Sequence, residues 1–116
     1  MKIVIAFDVD GTIETSSGPV TVARMNELAH MGVDIWIVSP SGLSPNRRTT
    51  DPTTFPEMIN GDRTANLQAI KKRYRDSEPN IGGPLPPYFW FYVSDNKDYD
   101  AAKQAGFSYI EAVQFV

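Results

Sequence analysis

Three apolar runs stand out along the chain, at residues 3–7, 34–38 and 88–93. Apart from the aspartate that opens the second run, none of them alternates with polar residues. Such runs are typical of strands that are covered on both faces, as in a parallel sheet. The first run passes directly into acidic residues, so we interpret it as a buried strand and not as a signal peptide.

The segments between and after these runs contain apolar residues at helical spacing. We predict helices from residue 21 to about 31, from about 64 to 74, and from 98 to 105. Thr21 can cap the first helix, and Gly32 and Gly106 follow the first and third as stop signals. Residues 11–19, 39–62 and 77–87 are rich in turn-forming residues and are predicted loops, with a short element around residues 55–59.

The alternation of strands and helices predicts an α/β fold with a mainly parallel sheet. Because the strands are apolar on both sides, we expect helices on both faces, in a three-layer Rossmann-like arrangement. One or two terminal strand segments, at residues 107–110 and 113–116, would complete the sheet. The aromatic residues of the third run are expected in the core, and residues 1–116 are expected to form a single domain.

Composition removes several classes of function. A formal net charge of −3 argues against a general electrostatic grip on nucleic acid, which needs a basic face. The chain has no cysteine, which excludes disulfides and thiolate metal sites and is compatible with a cytoplasmic protein. No apolar run has the length of a membrane span.

Acidic and hydroxyl side chains follow the predicted strands. Asp8 and Asp10 end the first, Ser39 ends the second, and Asp95 and Asp98 follow the third. Ligands of open α/β sheets bind outside the carboxyl ends of the strands, so we expect these groups to meet at one edge. Clustered carboxylates repel one another unless a cation joins them, and Mg²⁺, with its preference for oxygen ligands, is the natural one.

A phosphate bound at such a site would lie within reach of a carboxylate nucleophile. We predict that Asp8 attacks phosphorus and that Asp10 is the general acid and then the general base. Gly11 would let the backbone turn sharply against the ligand. Thr12 and Ser39 would bind phosphate oxygens, and Arg63 would offset transition-state charge.

These residues resemble the haloacid dehalogenase-like hydrolase superfamily. The segment FDVDGT at residues 7–12 is similar to its first motif, and IWIVS, ending at Ser39, to its second. RTANL at residues 63–67 resembles the third motif, with Arg63 where Lys is usual, and VSDNKDYDAAKQAGF at residues 93–107 resembles the fourth. Lys71 and Lys72 are the alternatives for the cation, and Asp100 is the alternative to Asp98 as second acid.

The resemblance implies a phosphatase with Asp8 as nucleophile, Asp10 as acid/base, and Mg²⁺ held by Asp8, the Asp10 carbonyl and Asp95. It also implies no cap domain, because the segments after the first and second motifs are too short for one. An open site suits a large substrate such as a phosphoprotein or a nucleic-acid end. Alternatively, the partner subunit of a homo-oligomer could close the site over a small molecule.

Plainer interpretations stay open beside this one. Ser39 is equally well an ordinary turn residue, and Arg63 a solvated one. Asp98 and Asp100 suit a helix start whatever their function, because acids stabilise that end. The whole chain could also be a binding or regulatory module of the same fold with weak or no catalysis. A phospho-accepting receiver domain is disfavoured, since the acidic pair here closes the first strand.

Overall fold

The computed structural model describes residues 2–8, 11–14, 17–38, 63–77, 88–95 and 98–115. Asp10, Ser39 and the short element predicted around residues 55–59 lie outside the described residues.

The described strands form one parallel sheet. They are β1 (Lys2–Asp8), β2 (Asp34–Val38), β3 (Tyr88–Ser94) and β4 (Ser108–Glu111), in the spatial order β2-β1-β3-β4. All three pairings between neighbours are parallel. The predicted α/β class and parallel sheet are therefore confirmed, and β1 lies between two other strands.

Four described helices accompany the sheet: α1 (Val22–His30), α2 (Arg63–Ser77), α3 (Tyr99–Ala105) and the single turn α4 (Ala112–Phe115). Thr21 caps α1 as predicted, since its Oγ1 accepts from the Arg24 amide at 3.1 Å. Gly106 ends α3 in the left-handed conformation at φ 80°, which glycine adopts without a steric penalty. No helix in these stretches is long and apolar enough to cross a membrane.

The terminal helix α4 corrects one prediction, because a strand was expected at residues 113–116. In a helical turn Ala112 and Phe115 lie three residues apart and therefore on the same face. Ala112 is buried, and the Phe115 ring meets the Phe7 ring edge-on at 5.2 Å, while Val113 is exposed. A strand would direct Ala112 and Phe115 to opposite faces and lose one of these contacts.

Alternation along β1 separates two hydrophobic clusters. Val4 and Ala6 pack into a cluster that includes Leu67 of α2 and residues of α3, whereas Ile5 and Phe7 pack with α1 and α4. Because successive side chains of a strand point to opposite faces, the two clusters lie on opposite sides of β1. Leu67 is fully buried, and its replacement by alanine would cost about 3 kcal/mol.

The aromatic residues of β3 are only partly internal. Tyr92 is fully buried, and Tyr88, Trp90 and Phe91 are partly buried against the clusters. Phe89 is 44% exposed, so the prediction of an internal position is wrong for this residue. An apolar run identifies the strand, but not the parts of it that neighbouring elements leave uncovered.

Candidate functional site

The strand order of the sheet reverses at the carboxyl end of β1. The chain leaves β1 for β2 on one side, whereas β3 pairs with β1 on the other. Such a reversal of strand order is where open α/β sheets bind ligands. Phe7 pairs with Val93, so the two strands end side by side, at Asp8 and Ser94. The acidic residues at and directly after these strand ends therefore lie at the same edge of the sheet.

The turn after β1 lies directly against the end of β3. Gly11 has a φ of +70°, and a Cβ atom there would lie 2.3 Å from Oδ2 of Asp95. A side chain at this position would have to displace the Asp95 carboxylate, and the left-handed backbone also favours glycine. The conformation of Gly11 and its contact with Asp95 therefore both favour glycine in the sharp turn predicted here.

Asp8 forms a buried ion pair with the first residue of α2. Nη2 of Arg63 donates to Oδ1 of Asp8 at 3.0 Å, and the two side chains are only 8% and 5% exposed. A carboxylate at this depth depends on a paired charge, because an uncompensated one would cost several kcal/mol. Arg63 therefore lies where the sequence predicted a cation, next to the proposed nucleophile.

A second carboxylate and a tyrosine complete the surroundings of Arg63. Oδ2 of Asp98 lies 3.6 Å from Nε of Arg63 and accepts a hydrogen bond from the Tyr92 hydroxyl at 3.0 Å. The guanidinium lies 5.7 Å from the centroid of the Tyr92 ring. Burial raises the pKa of the Tyr92 phenol far above its ordinary value. The positive charge of Arg63 opposes this rise, and the carboxylates of Asp8 and Asp98 add to it.

Two buried polar groups of the described residues could donate hydrogen bonds to an anion. The Thr12 side chain, four residues after Asp8, is fully buried, yet its Oγ1 has no hydrogen-bond partner among the described residues. Within the described segments, Nη1 of Arg63, the residue paired with Asp8, also has no hydrogen-bond partner. Buried polar groups are normally satisfied, so unsatisfied donors suggest a ligand that accepts hydrogen bonds. A phosphate has that chemistry.

The alternative cations lie elsewhere. Nζ of Lys71 donates to the Ala105 carbonyl at 3.1 Å, at the far end of α3. Burial, and then the charge of Arg75, lowers the pKa of Lys71. Lys72 is exposed on the same stretch of α2. Of the three predicted candidates, Arg63 is the one that the structure places on Asp8.

The alternative acid, Asp100, is exposed in the first turn of α3. Asp98 occupies the N-cap position of that helix without a side-chain capping bond, and its carboxylate contacts Tyr92 and Arg63 instead. Of the two acids, the structure therefore places Asp98 beside Arg63.

The described part of the site has suitable donors for Mg²⁺ but does not complete a cluster. Among the described residues, no group of three or more histidine, cysteine or acidic side chains could hold a metal ion. Asp8 and Asp95 supply the hard carboxylate oxygens that Mg²⁺ prefers, and one or two carboxylates are sufficient when water and a substrate phosphate provide the rest. Of the other two predicted ligands, Asp10 lies outside the described residues, and the Asp98 carboxylate contacts Arg63 and Tyr92 instead.

Tyr92 is a residue of the candidate site that the sequence did not indicate, because it was predicted only to lie in the core. Its ring is indeed buried, but its hydroxyl holds Asp98. A tyrosine in a buried strand must find a partner for its hydroxyl, and Tyr92 comes only three residues before Asp95. This short distance along the chain was the feature of the sequence that could have identified Tyr92 as part of the site.

No protein-family model, curated protein or solved structure matches this chain. The resemblance to the haloacid dehalogenase-like superfamily therefore stays a prediction from the motifs. Any function has to be argued from the residues and their geometry.

Proposed function

We propose that the protein is a Mg²⁺-dependent phosphohydrolase with Asp8 as its nucleophile. The observation that carries this proposal is the buried pair of Asp8 and Arg63 at the carboxyl end of β1, where the strand order reverses. A buried carboxylate with a matched cation is a candidate reactive group. The buried, unsatisfied hydroxyl of Thr12, four residues further along the chain, would add a phosphate-binding group.

The proposed reaction has two displacements at phosphorus. A carboxylate oxygen of Asp8 attacks the phosphoryl group and forms an acyl phosphate, while the bond to the leaving oxygen breaks and that oxygen takes a proton from Asp10. A water molecule then gives a proton to Asp10 and attacks the same phosphorus. Inorganic phosphate leaves and the Asp8 carboxylate is restored.

Arg63 and Asp98 would prepare this reaction before substrate binds. The hydrogen bond from Arg63 fixes the orientation of the Asp8 carboxylate, and its Nη1 can donate to a phosphoryl oxygen. Thr12 offers its hydroxyl to the same group. Asp8, Asp95 and the predicted ligand Asp10 would hold Mg²⁺, which when bound neutralises charge on the phosphoryl oxygens.

The proposal also covers the arrangement of layers, the class of substrate and the location in the cell. We place the helices and sheet in a three-layer Rossmann-like domain without a cap. An open site of this kind suits a phosphoprotein or a nucleic-acid end, and a second copy of the chain is the element that could close it over a small substrate. We assign the protein to the cytoplasm.

The test is hydrolysis of an aryl phosphate with and without Mg²⁺. Asp8→Asn is expected to lower kcat by more than about 1,000-fold, because it removes the nucleophile. Asp34→Asn is the matched control: it makes the same chemical change at the start of β2, where Asp34 pairs with Lys2 at 3.2 Å. Thermal unfolding of both variants checks the fold. Unchanged turnover in Asp8→Asn would reject the mechanism.

A second candidate function is a phosphate-binding or regulatory module with little catalysis. The observation that favours it is the direct ion pair of Arg63 with Asp8, which holds a potential nucleophile and metal ligand in a salt bridge. Calorimetry with Mg²⁺ and beryllium fluoride, a phosphate mimic, separates the two functions. Binding of the mimic that requires Mg²⁺ supports the phosphatase, whereas binding that does not depend on Mg²⁺, or no binding, favours the module.

A further inference from the structure

The second half of α2 concentrates positive charge on an acidic protein. Lys71, Lys72, Arg73 and Arg75 fall within five consecutive residues, although the chain as a whole has a net charge of −3. Three of them are exposed, and Lys71 is partly buried. Neither Lys72 nor Arg75 has an ion pair within the described segments. This stretch of α2 is therefore a local basic surface that the overall charge conceals.

Three adjoining cavities border this surface, and together we call them the α2 groove. Their volumes are about 420, 220 and 310 Å³. The first and second share Lys71 and Arg75, and the second and third share Tyr74. The shared lining residues place the three cavities next to one another along α2, so that a ligand longer than one small ion could contact more than one of them. Asp34 is the one carboxylate among the described residues of its lining.

Aromatic rings and cations line the same cavities of this groove. Tyr88 and Trp90 line the middle cavity together with Lys71 and Arg75. Nζ of Lys71 lies 5.3 Å from the centroid of the Trp90 ring. Trp36 lines the third cavity with Tyr74 and Arg73. Proteins that bind single strands combine cations for the phosphates with aromatic rings for the bases.

We propose that the α2 groove binds single-stranded nucleic acid. The cations would contact backbone phosphates, and the rings of the middle cavity would contact bases that are free of a partner strand. An acidic peptide would use the cations but would leave the row of rings without a flat partner. A duplex would keep its bases stacked inside and out of reach of the rings.

The groove is separate from the proposed catalytic site. Arg63 begins α2 at Asp8, and Arg75 lies 12 residues further along, which is about 18 Å at the rise of an α-helix. The inference rests on the groove alone. It would stand if the phosphohydrolase proposal failed, and it would fall without affecting that proposal.

The test is fluorescence anisotropy with a labelled oligothymidylate of about 12 nucleotides. Binding should weaken about tenfold between ~50 and ~200 mM salt, because phosphate contacts release counterions. The double variant Lys72→Glu/Arg75→Glu should reduce affinity by at least about tenfold. Arg24→Glu/Lys103→Glu is the matched control, since it reverses two exposed charges away from the groove and should change affinity little.

A second pair of variants tests the rings. Tyr88→Leu should weaken binding by about tenfold through lost stacking, whereas Tyr99→Leu, at an exposed ring on α3, should not. The proposal is overturned if the oligonucleotide does not bind, if the control charge variant weakens binding equally, or if both tyrosine variants bind like the parent. Equal competition by a polyglutamate peptide or by a duplex of the same length would also overturn it.

Discussion

Four side chains at the carboxyl end of the sheet form a chain of contacts in which each one positions the next. Tyr92 donates to Asp98, Asp98 lies beside Arg63, and Arg63 donates to Asp8. Each is buried or partly buried, so removal of one leaves a polar neighbour without compensation. The proposed nucleophile is therefore oriented by residues that come from three different elements.

Tyr92 is predicted to be a positioning residue. Tyr92→Phe removes the hydroxyl bond to Asp98, so Arg63 is held less firmly, and kcat should fall about tenfold, which corresponds to ~1.4 kcal/mol. The free energy of unfolding should fall by about 1 kcal/mol. Steady-state kinetics and urea unfolding measure the two effects.

Tyr74→Phe is the control for this prediction. It also removes a buried hydroxyl, one that donates to Asp34 at 2.6 Å and accepts from Trp36 at 2.7 Å. It should lose comparable stability and keep its kcat, because the bond to Asp34 lies at the opposite edge of the sheet. If the two variants lose activity equally, Tyr92 has no special role in the site.

The turn after β1 lies against the end of β3, so the two strand ends are in contact. Gly11→Ala should cost about 1–2 kcal/mol of stability for its left-handed backbone, and its Cβ would displace Asp95. Activity and Mg²⁺ affinity should therefore fall as well. Enzyme assays and metal titration, alongside thermal unfolding, measure these effects.

Gly32→Ala provides the matched comparison. Gly32 has a φ of +92°, but a Cβ there would meet nothing within 4 Å. This variant should show the stability loss without the loss of activity. If both glycine variants retain full activity, the contact between Gly11 and Asp95 does not matter to the site.

The strands and helices with strong local signals could be predicted from the sequence. β2 was expected at residues 34–38 and lies there, because an apolar run is bounded by a glycine stop and a polar loop. α2 begins one residue earlier than expected and extends three residues further. The polar residues 75–77 carry no apolar periodicity, so hydrophobic spacing could not mark this last turn.

Tertiary contacts decided what the sequence left undetermined. The final residues are apolar enough for a strand, but the packing of Phe115 on Phe7 selects a helical turn. The location of Asp8 at the end of the first strand could be predicted, because Asp8 directly follows an apolar run. The link from Tyr92 through Asp98 to Arg63 could not be predicted, because it joins residues of β3, the start of α3 and α2 that only the fold brings together.

At the scale of the whole molecule, burial of Tyr92 makes stability depend on alkaline pH. Its pKa is raised in the folded state, whereas in the unfolded chain the phenol ionises near its ordinary value of 10.0. Above that pH the folded state retains a proton that the unfolded state loses. Stability is therefore unaffected by this group below pH ~10 and falls by about 1.4 kcal/mol per pH unit above it.

Urea unfolding between pH ~9 and ~11 tests this linkage. The parent protein should lose stability more steeply above pH ~10 than Tyr92→Phe, which lacks this phenol and keeps only the smaller loss caused by the raised pKa of partly buried Tyr74. Tyr99→Phe, which removes an exposed hydroxyl on α3, should follow the parent. Parallel curves for the parent and Tyr92→Phe would show that the phenol of Tyr92 ionises normally in the folded protein.

The proposed phosphatase mechanism requires that Asp8 becomes phosphorylated. The most direct measurement is to quench the protein during turnover of an aryl phosphate, reduce any acyl phosphate with borohydride, and locate the reduced residue by peptide mass spectrometry. We predict that the reduced carboxyl group is that of Asp8 and that the signal requires Mg²⁺. Turnover without a reduced residue, or reduction at a different acid, would contradict the account.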